Sequence, residues 1–184
     1  TLFPYTTLFR SNTNATPGTI SIPSGTINAS GDVALNGKLT STDSVSITAG
    51  TLAFNAPVEV KNITMHAVAT TNQNITVTGN WTNNKAKSGT TYGFTATGGT
   101  ITFTGANPTD SAGVLLSGEN KFNELEILGS VKITDNNEIT TLTANGGTSG
   151  LGGKTITFAD STTQTVSGTM SLKGTSSDSK LVLY

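Results

Sequence analysis

Short pairs of apolar residues, two positions apart, recur between residues 20 and 65 of the chain. They begin every five to seven residues, at Ile20, Ile27, Val33, Leu39, Val45, Leu52, Val58 and Ile63. Apolar residues at i and i+2 lie on the same face of a β-strand, and no stripe at i, i+3 and i+4 is long enough to indicate a helix. Gly, Asn, Ser and Asp between the pairs favour tight turns. The pattern therefore predicts short β-strands joined by turns.

The interval between turns distinguishes the possible β architectures. β-Sandwiches usually place a turn signal every 8 to 12 residues or so, and the turns found here come too soon for that. If three strands make one coil, equivalent apolar residues recur after 18 or 19 positions, as Ile20, Leu39 and Val58 in one column and Ile27, Val45 and Ile63 in the next. Stacked coils would then bury a continuous apolar interior. We therefore predict an all-β parallel β-helix, or β-solenoid, of about nine coils.

From about residue 71 the rhythm loosens but stays β-like. Seven strands are predicted in this part, at 74–78, 100–104, 124–128, 131–133, 155–158, 170–172 and 180–183. Two further columns, Ile101 with Phe122 and Thr143, and Ile133 with Ile156 and Leu181, extend the predicted coil length to 18–25 residues. The irregular stretch 79–99 is expected to carry an outward loop. A short helix through Phe122, Leu125 and Leu128 is the alternative for that segment.

Composition excludes several classes of protein. Thr, Ser, Asn and Gly supply 93 of the 184 residues, and the chain has no cysteine, which excludes disulfide scaffolds and thiol catalysis. A net charge of −1 without a basic block does not fit a nucleic-acid partner. No apolar run approaches the length that spans a bilayer, so no membrane-spanning segment is expected.

The first eleven residues, TLFPYTTLFRS, resemble the translation of a widely used sequencing-adapter oligonucleotide. On this interpretation residues 1–11 are a non-native leader, and residues 12–184 are a single β-solenoid fragment that is open at both ends. Such a leader is set aside in reasoning about the fold.

Several runs in the second half of the chain resemble the repeats of large bacterial surface β-solenoids. The runs are TVTGNWTNN at 76–84, GTITFTG at 99–105, NKFNELEI at 120–127 and GKTITFAD at 153–160. Filamentous-haemagglutinin-like adhesins and autotransporter passenger proteins are the families that they resemble. The resemblance implies a right-handed solenoid, secretion across the cell envelope and a role in adhesion or as a spacer.

Few residues are candidates for catalysis or for metal binding. His66 is the only histidine and cannot by itself build a usual zinc site. Glu124 and Glu126 are expected on one solvated face, 135–138 lacks the glycine and the closing glutamate of a calcium loop, and 146–155 is a flexible turn that misses the phosphate-loop spacing. No metal ligands and no cofactor are predicted.

These observations favour a non-catalytic structural or adhesive segment of a large secreted or cell-surface bacterial protein, located outside the cell. Its partners would be surface glycans or proteins. One alternative is a carbohydrate-binding surface in which Trp81, Tyr92 and Phe94 stack on sugars. The other is a polysaccharide-degrading β-helix enzyme, for which Asp135 and Asp160, one long coil apart, are the candidate pair.

Overall fold

The structure is a computed structural model that describes residues 18–105, 114–145, 154–174 and 181–184. The predicted leader 1–11, residues 146–153 of the glycine-rich turn and the predicted strand position Lys180 lie outside these ranges. The described residues form eighteen β-strands. The first nine are β1 (Thr19–Ser21), β2 (Gly25–Asn28), β3 (Val33–Leu35), β4 (Lys38–Thr48), β5 (Thr51–Phe54), β6 (Val58–Met65), β7 (Val68–Thr71), β8 (Ile75–Val77) and β9 (Trp81–Asn83). The others are β10 (Phe94–Ala96), β11 (Thr100–Phe103), β12 (Val114–Ser117), β13 (Asn120–Ile127), β14 (Val131–Ile133), β15 (Asn137–Asn145), β16 (Lys154–Phe158), β17 (Gln164–Lys173) and β18 (Leu181–Leu183).

All pairings between these strands are parallel, and they form three continuous ladders. Ladder A runs β1, β4, β6, β8, β11, β13, β15, β17. Ladder B runs β2, β4, β6, β9, β12, β14, β16, β18. Ladder C runs β3, β5, β7, β10, β13, β15, β17. The longer strands take part in two ladders because they bend around a corner. The chain is therefore a parallel β-solenoid, as predicted.

The described residues make eight coils. Coils 1 to 7 pass through ladders A, B and C in that order, and the described part of coil 8 lies on ladders A and B. Coils 1 to 8 begin at residues 19, 38, 58, 75, 100, 124, 141 and 169. Along ladder A, partners in adjacent coils lie between 17 positions apart, as in Leu125 and Leu142, and 28 positions apart, as in Leu142 and Met170. On ladder B, Trp81 and Leu116 are 35 positions apart. The later coils are thus less uniform than the predicted 18–25 residues.

The predicted columns agree with the structure in the first coils. Ile20 pairs with Leu39 and Leu39 with Val58, as the sequence indicates. Val45 pairs with Ile63, also as predicted. Ile27, however, pairs with Ile47, and the residue opposite Val45 is Gly25. A glycine at an inward position leaves no apolar signal, so this part of the register was predicted two residues out.

The later columns are corrected in a similar way. Ile133 pairs with Phe158 instead of Ile156, and Ile156 pairs with Leu183 instead of Leu181. Because side chains alternate with a period of two, a shift of two residues keeps the same face inward and cannot be detected from the apolar pattern. The column of Ile101, Phe122 and Thr143 is wrong, since Ile101 pairs with Leu125 and Thr143 points outward opposite Ser171.

Segment 120–127 is a bent strand and not the alternative helix. Phe122 and Leu125 both point inward, on ladders C and A respectively, with Asn123 and Glu124 at the bend between them. A spacing of three between inward residues therefore comes from a corner of the solenoid. The other predicted strands all overlap observed ones, and the outward loop occupies 84–93, inside the predicted 79–99.

Polar side chains at the corners connect each coil to the next. The backbone N–H of Thr51 donates to Asp32 Oδ1 at 2.8 Å, and that of Asn80 donates to Asn62 Oδ1 at 2.7 Å. Asn55 donates to the Asn36 side chain at 2.7 Å. Corners carry backbone N–H groups that the ladders do not satisfy, and the side-chain oxygens of Asn and Asp accept hydrogen bonds from them. Among the described residues there is no helix long and apolar enough to cross a bilayer.

Candidate functional site

The middle of the solenoid contains an aromatic cluster in its interior. Trp81 and Phe94, on the second and third faces of coil 4, meet edge to face with ring centroids 4.7 Å apart. Phe103 and Phe122 of coil 5 lie 6.3 and 6.2 Å from the Trp81 ring. All four side chains are fully buried. Aromatic pairs at such distances add stabilisation beyond the burial of their area.

The predicted sugar-stacking role of Trp81 and Phe94 is therefore wrong, because neither ring reaches the surface. Both residues alternate with a threonine and a second inward residue, as Trp81-Thr82-Asn83 and Phe94-Thr95-Ala96. This is the i and i+2 pattern of the interior residues elsewhere in the chain. It could have predicted from the sequence that both rings are buried. Of the three predicted residues, only Tyr92 is partly exposed.

A column of amides, three buried asparagines and one half-buried glutamine, lies beside the aromatic cluster, where ladder B turns into ladder C. Asn83, Asn120, Asn137 and Gln164 follow one another through coils 4 to 7. Asn83 Nδ2 donates to Asn120 Oδ1 at 3.1 Å, Asn120 Nδ2 to Asn137 Oδ1 at 2.8 Å, and Asn137 Nδ2 to the Gln164 side chain at 2.9 Å. Trp81 Nε1 also donates to Asn120 Oδ1, at 3.2 Å. We call this column the amide ladder.

The amide ladder satisfies backbone carbonyls at the corner as well as its own members. Asn120 Nδ2 donates to the Gly118 carbonyl at 2.5 Å, and Asn137 Nδ2 donates to the Asp135 carbonyl at 2.9 Å. Among the described residues, no buried side-chain nitrogen or oxygen lacks a partner. The interior polar groups are thus fully used by the fold itself.

The 84–93 loop is a small hairpin on the outside of coil 4. Ser88 and Thr91 form an antiparallel bridge through two backbone hydrogen bonds of 2.9 and 3.0 Å. Gly89, between them, has a φ of 59°, which glycine adopts without strain. The tip is exposed, and the hairpin returns to the solenoid at Gly93.

A cluster of charged and phenolic groups connects this hairpin to the following coils. Lys87 Nζ donates to Tyr92 Oη at 2.9 Å, and Tyr92 Oη donates to Glu138 Oε2 at 3.0 Å. Lys121 Nζ pairs with Glu138 Oε1 at 2.5 Å. The Lys87 backbone N–H donates to Glu119 Oε2 at 3.2 Å. We call these five residues the clasp cluster.

The proximity of opposite charges shifts two of the groups in the cluster. The ion-paired hydrogen bond from Lys121, followed by the Tyr92 hydrogen bond, lowers the pKa of Glu138 from its ordinary value. The hydrogen bond with Tyr92 raises the pKa of Lys87, which also lies over the Tyr92 ring at 4.1 Å from its centroid. Both shifts favour the charged forms, so the cluster is held by charge-assisted contacts at neutral pH.

The other candidates from the sequence do not converge on one site. Glu124 and Glu126 accept hydrogen bonds from the hydroxyls of Thr100 and Thr102 on the outer face of ladder A. His66 is exposed and contacts Asn84 at 3.4 Å.

Segment 135–138 likewise does not form a calcium loop, because its residues bind different partners. Asp135 accepts from the Gly118 N–H, Asn136 from the Thr163 N–H, and Glu138 belongs to the clasp cluster. Asp135 and Asp160 follow the paired strands β14 and β16. In the parts of the chain that the structure describes, no three His, Cys, Asp or Glu side chains are grouped to hold a metal ion.

Comparisons with protein-family models, with curated protein sequences and with solved structures find no match to this chain.

Proposed function

We propose that this chain is a non-catalytic structural or adhesive segment of a large secreted or cell-surface bacterial β-solenoid protein. The observation that carries the proposal is the set of three uninterrupted parallel ladders, which hydrogen-bond every coil to the next along one axis. Eight coils at about 4.8 Å each span roughly 38 Å. Buried side chains fill the interior through most of this length, and the polar groups at the corners are used to connect coils. The resemblance of the later runs to surface adhesins supports the extracellular location.

The outer face of ladder B supports the adhesive part of the proposal. Across coils 1 to 5 the residues that pair in ladder B are uncharged, and one column of hydroxyls runs along it: Thr26, Ser46, Thr64, Thr82 and Ser117. Uncharged hydroxyls at a regular spacing offer many weak hydrogen bonds to a glycan or protein surface. Affinity then comes from the number of contacts made at once.

A force experiment tests the structural role. The chain would be held by its two ends and extended with an optical trap. A load-bearing segment should unfold in successive steps, each releasing one coil of 17 to 28 residues, or about 60 to 100 Å of extended chain. Extension without discrete steps at low force would contradict the role of a spacer. Release of reducing ends from a polysaccharide panel, above that given by heat-denatured chain, would show an enzyme instead.

A binding experiment tests the adhesive role. Beads coated with the chain would be washed over arrays of glycans and surface proteins, alongside beads that carry Thr64→Asp or Thr70→Asp. Thr64 lies in the hydroxyl column of ladder B, whereas Thr70 is an exposed threonine on ladder C. Loss of bead retention with Thr64→Asp alone is expected. Equal retention of all three kinds of bead would remove ladder B from the proposal.

A further inference from the structure

The hairpin 84–93 makes a connection that the ladders do not. Each ladder joins a strand to the coil immediately before or after it. Tyr92 belongs to coil 4, whereas Glu138 lies on ladder C of coil 6, so their 3.0 Å hydrogen bond spans 46 positions and passes over coil 5. Among the described residues this is the one side-chain hydrogen bond that skips a coil.

Coil 5 contributes to the same connection from both sides of the hairpin. Glu119 accepts from the Lys87 backbone N–H, and Lys121 pairs with the second oxygen of Glu138. Lys121 and Glu138 are also direct partners in ladder C, so their side chains stand next to each other on its outer face. The hairpin thus lies against the outside of coils 5 and 6.

We infer that hairpin 84–93 is a charge-dependent clasp that ties coils 4, 5 and 6 into one block and opens when the Glu138 carboxylate loses its charge. The ionisable groups that face Glu138 are Lys121 from β13 and Lys87 and Tyr92 from the hairpin, with Glu119 bound to the hairpin backbone. The strand on the other side of Glu138 presents Thr165, which is uncharged. Glu138 is therefore the anion that Lys121 contacts directly and that Lys87 reaches through the Tyr92 hydroxyl.

Neutralising Glu138 leaves two ammonium groups near one another without that anion. Lys121 loses a charge-assisted contact, and the Tyr92 hydroxyl, which accepts from Lys87, keeps only a neutral acceptor. The aromatic cluster, the amide ladder and the backbone ladders do not involve the Glu138 carboxylate. Opening is therefore expected to free the hairpin while the solenoid stays folded.

Hydrogen exchange measured by mass spectrometry tests the clasp on the whole chain. Wild type, Glu138→Gln and Tyr92→Phe would be compared at pH 7, and wild type with Glu138→Gln again at pH 3. At pH 7 both variants should exchange the hairpin amides about tenfold faster than wild type, the effect of losing one hydrogen bond to a partly exposed charged group. At pH 3 the difference between wild type and Glu138→Gln should shrink, because acid moves wild-type Glu138 toward its neutral form.

Glu126→Gln is the matched control. Glu126 accepts a hydrogen bond from the Thr102 hydroxyl of the adjacent coil on ladder A, and it has no hydrogen bond to the hairpin. This variant should leave exchange of the hairpin unchanged. Equal hairpin exchange in wild type and Glu138→Gln at pH 7 would overturn the inference. So would acceleration spread evenly over all coils, because that would make Glu138 a contributor to general stability. Tyr92→Phe removes only one hydroxyl at the surface, so it provides the same test if Glu138→Gln fails to fold.

Discussion

Coils 1 to 3 and coils 4 to 6 share the same three ladders. They differ in the side chains of the interior, and coil 4 has a much longer corner between ladders B and C. The first three coils turn from ladder B to ladder C within a few residues, and their interior is almost entirely aliphatic. In coil 4 the same corner is expanded by hairpin 84–93, and the interior beside it holds the aromatic cluster and the amide ladder. The amides serve the short corners that follow in coils 5 and 6: Asn83 donates to the Glu119 carbonyl, Asn120 to the Gly118 carbonyl and Asn137 to the Asp135 carbonyl. Corner carbonyls that no ladder satisfies are thus paired with buried donors.

The two regions therefore differ in what specifies the register. In the first coils, apolar side chains of similar size can exchange places with limited loss, because packing is the main constraint. In the middle coils each amide has particular partners, and an unpaired buried partner costs more than an imperfect contact. Substitutions in the middle region should consequently lower the stability more, and each position there should accept fewer residue types.

The largest effect is expected from Trp81→Ala, compared with Phe54→Ala in the first region. Removal of a buried aromatic residue costs about 3 to 5 kcal/mol through lost burial and the cavity left behind. Trp81 in addition loses its edge-to-face partner Phe94 and its hydrogen bond to Asn120. Its cost should exceed that of Phe54→Ala by about 1 kcal/mol or more in chemical denaturation. A larger loss for Phe54→Ala would show that the aromatic cluster is not the stronger region.

The next largest effect compares two asparagines that both bridge coils. Asn120→Ala removes the shared acceptor of Trp81 and Asn83 and two donors, all in the interior, and should lower the free energy of unfolding by about 3 kcal/mol. Asn55→Ala removes an exposed bond to Asn36 and should cost about 0.5 kcal/mol. Denaturant titration of both variants measures the difference. Similar losses would mean that burial of the amide ladder does not increase its contribution to the free energy of unfolding.

The same difference between the two regions explains how far the strands and their register could be predicted from the sequence. The first coils were predicted well because their corners are short, so apolar pairs occur at a nearly constant interval and the strands can be stacked by counting. Gly25 interrupted that count without leaving a signal. In later coils the variable corners break the count, and a shift of two residues keeps every side chain on the correct face.

The candidate site was predicted less well than the fold. Trp81 and Phe94 were interpreted by residue type, although their alternation with Thr82 and Thr95 indicated the interior. Tyr92 and Glu138 are 46 positions apart, and their contact depends on the path of a hairpin over coil 5. Neither composition nor periodicity contains that path. The amide ladder was missed for a related reason, since 17 asparagines in the sequence conceal the few that are buried.

A smaller effect is expected at the base of the hairpin. A Cβ on Gly93 would overlap the Lys85 carbonyl oxygen and approach the Asn83 side-chain amide to 2.6 Å. Gly93→Ala should therefore displace the hairpin and cost about 1 to 3 kcal/mol. Gly31→Ala, where a Cβ would meet nothing within 4 Å, is the control from the first region and should change stability little. Thermal unfolding of the pair decides the point, and equal midpoints would show that the hairpin base is not closely packed.

The smallest effect separates the two regions by their response to acid. The folded-state pKa of Glu138 lies below the ordinary 4.5, so the stability that its charge contributes is present above that value and is lost as pH falls through the folded pKa. Because the Glu138 side chain is about one third exposed, the contribution should be below about 1 kcal/mol. Glu138→Gln should accordingly narrow the difference in unfolding free energy between pH 7 and pH 3, as measured by urea titration at each pH. Glu59→Gln, which removes an exposed ion pair with Lys38 in the first region, should narrow it less. An equal change in both variants would mean that the clasp cluster adds nothing to an ordinary surface pair, and the middle coils would then owe their distinct behaviour to the buried aromatic and amide groups alone.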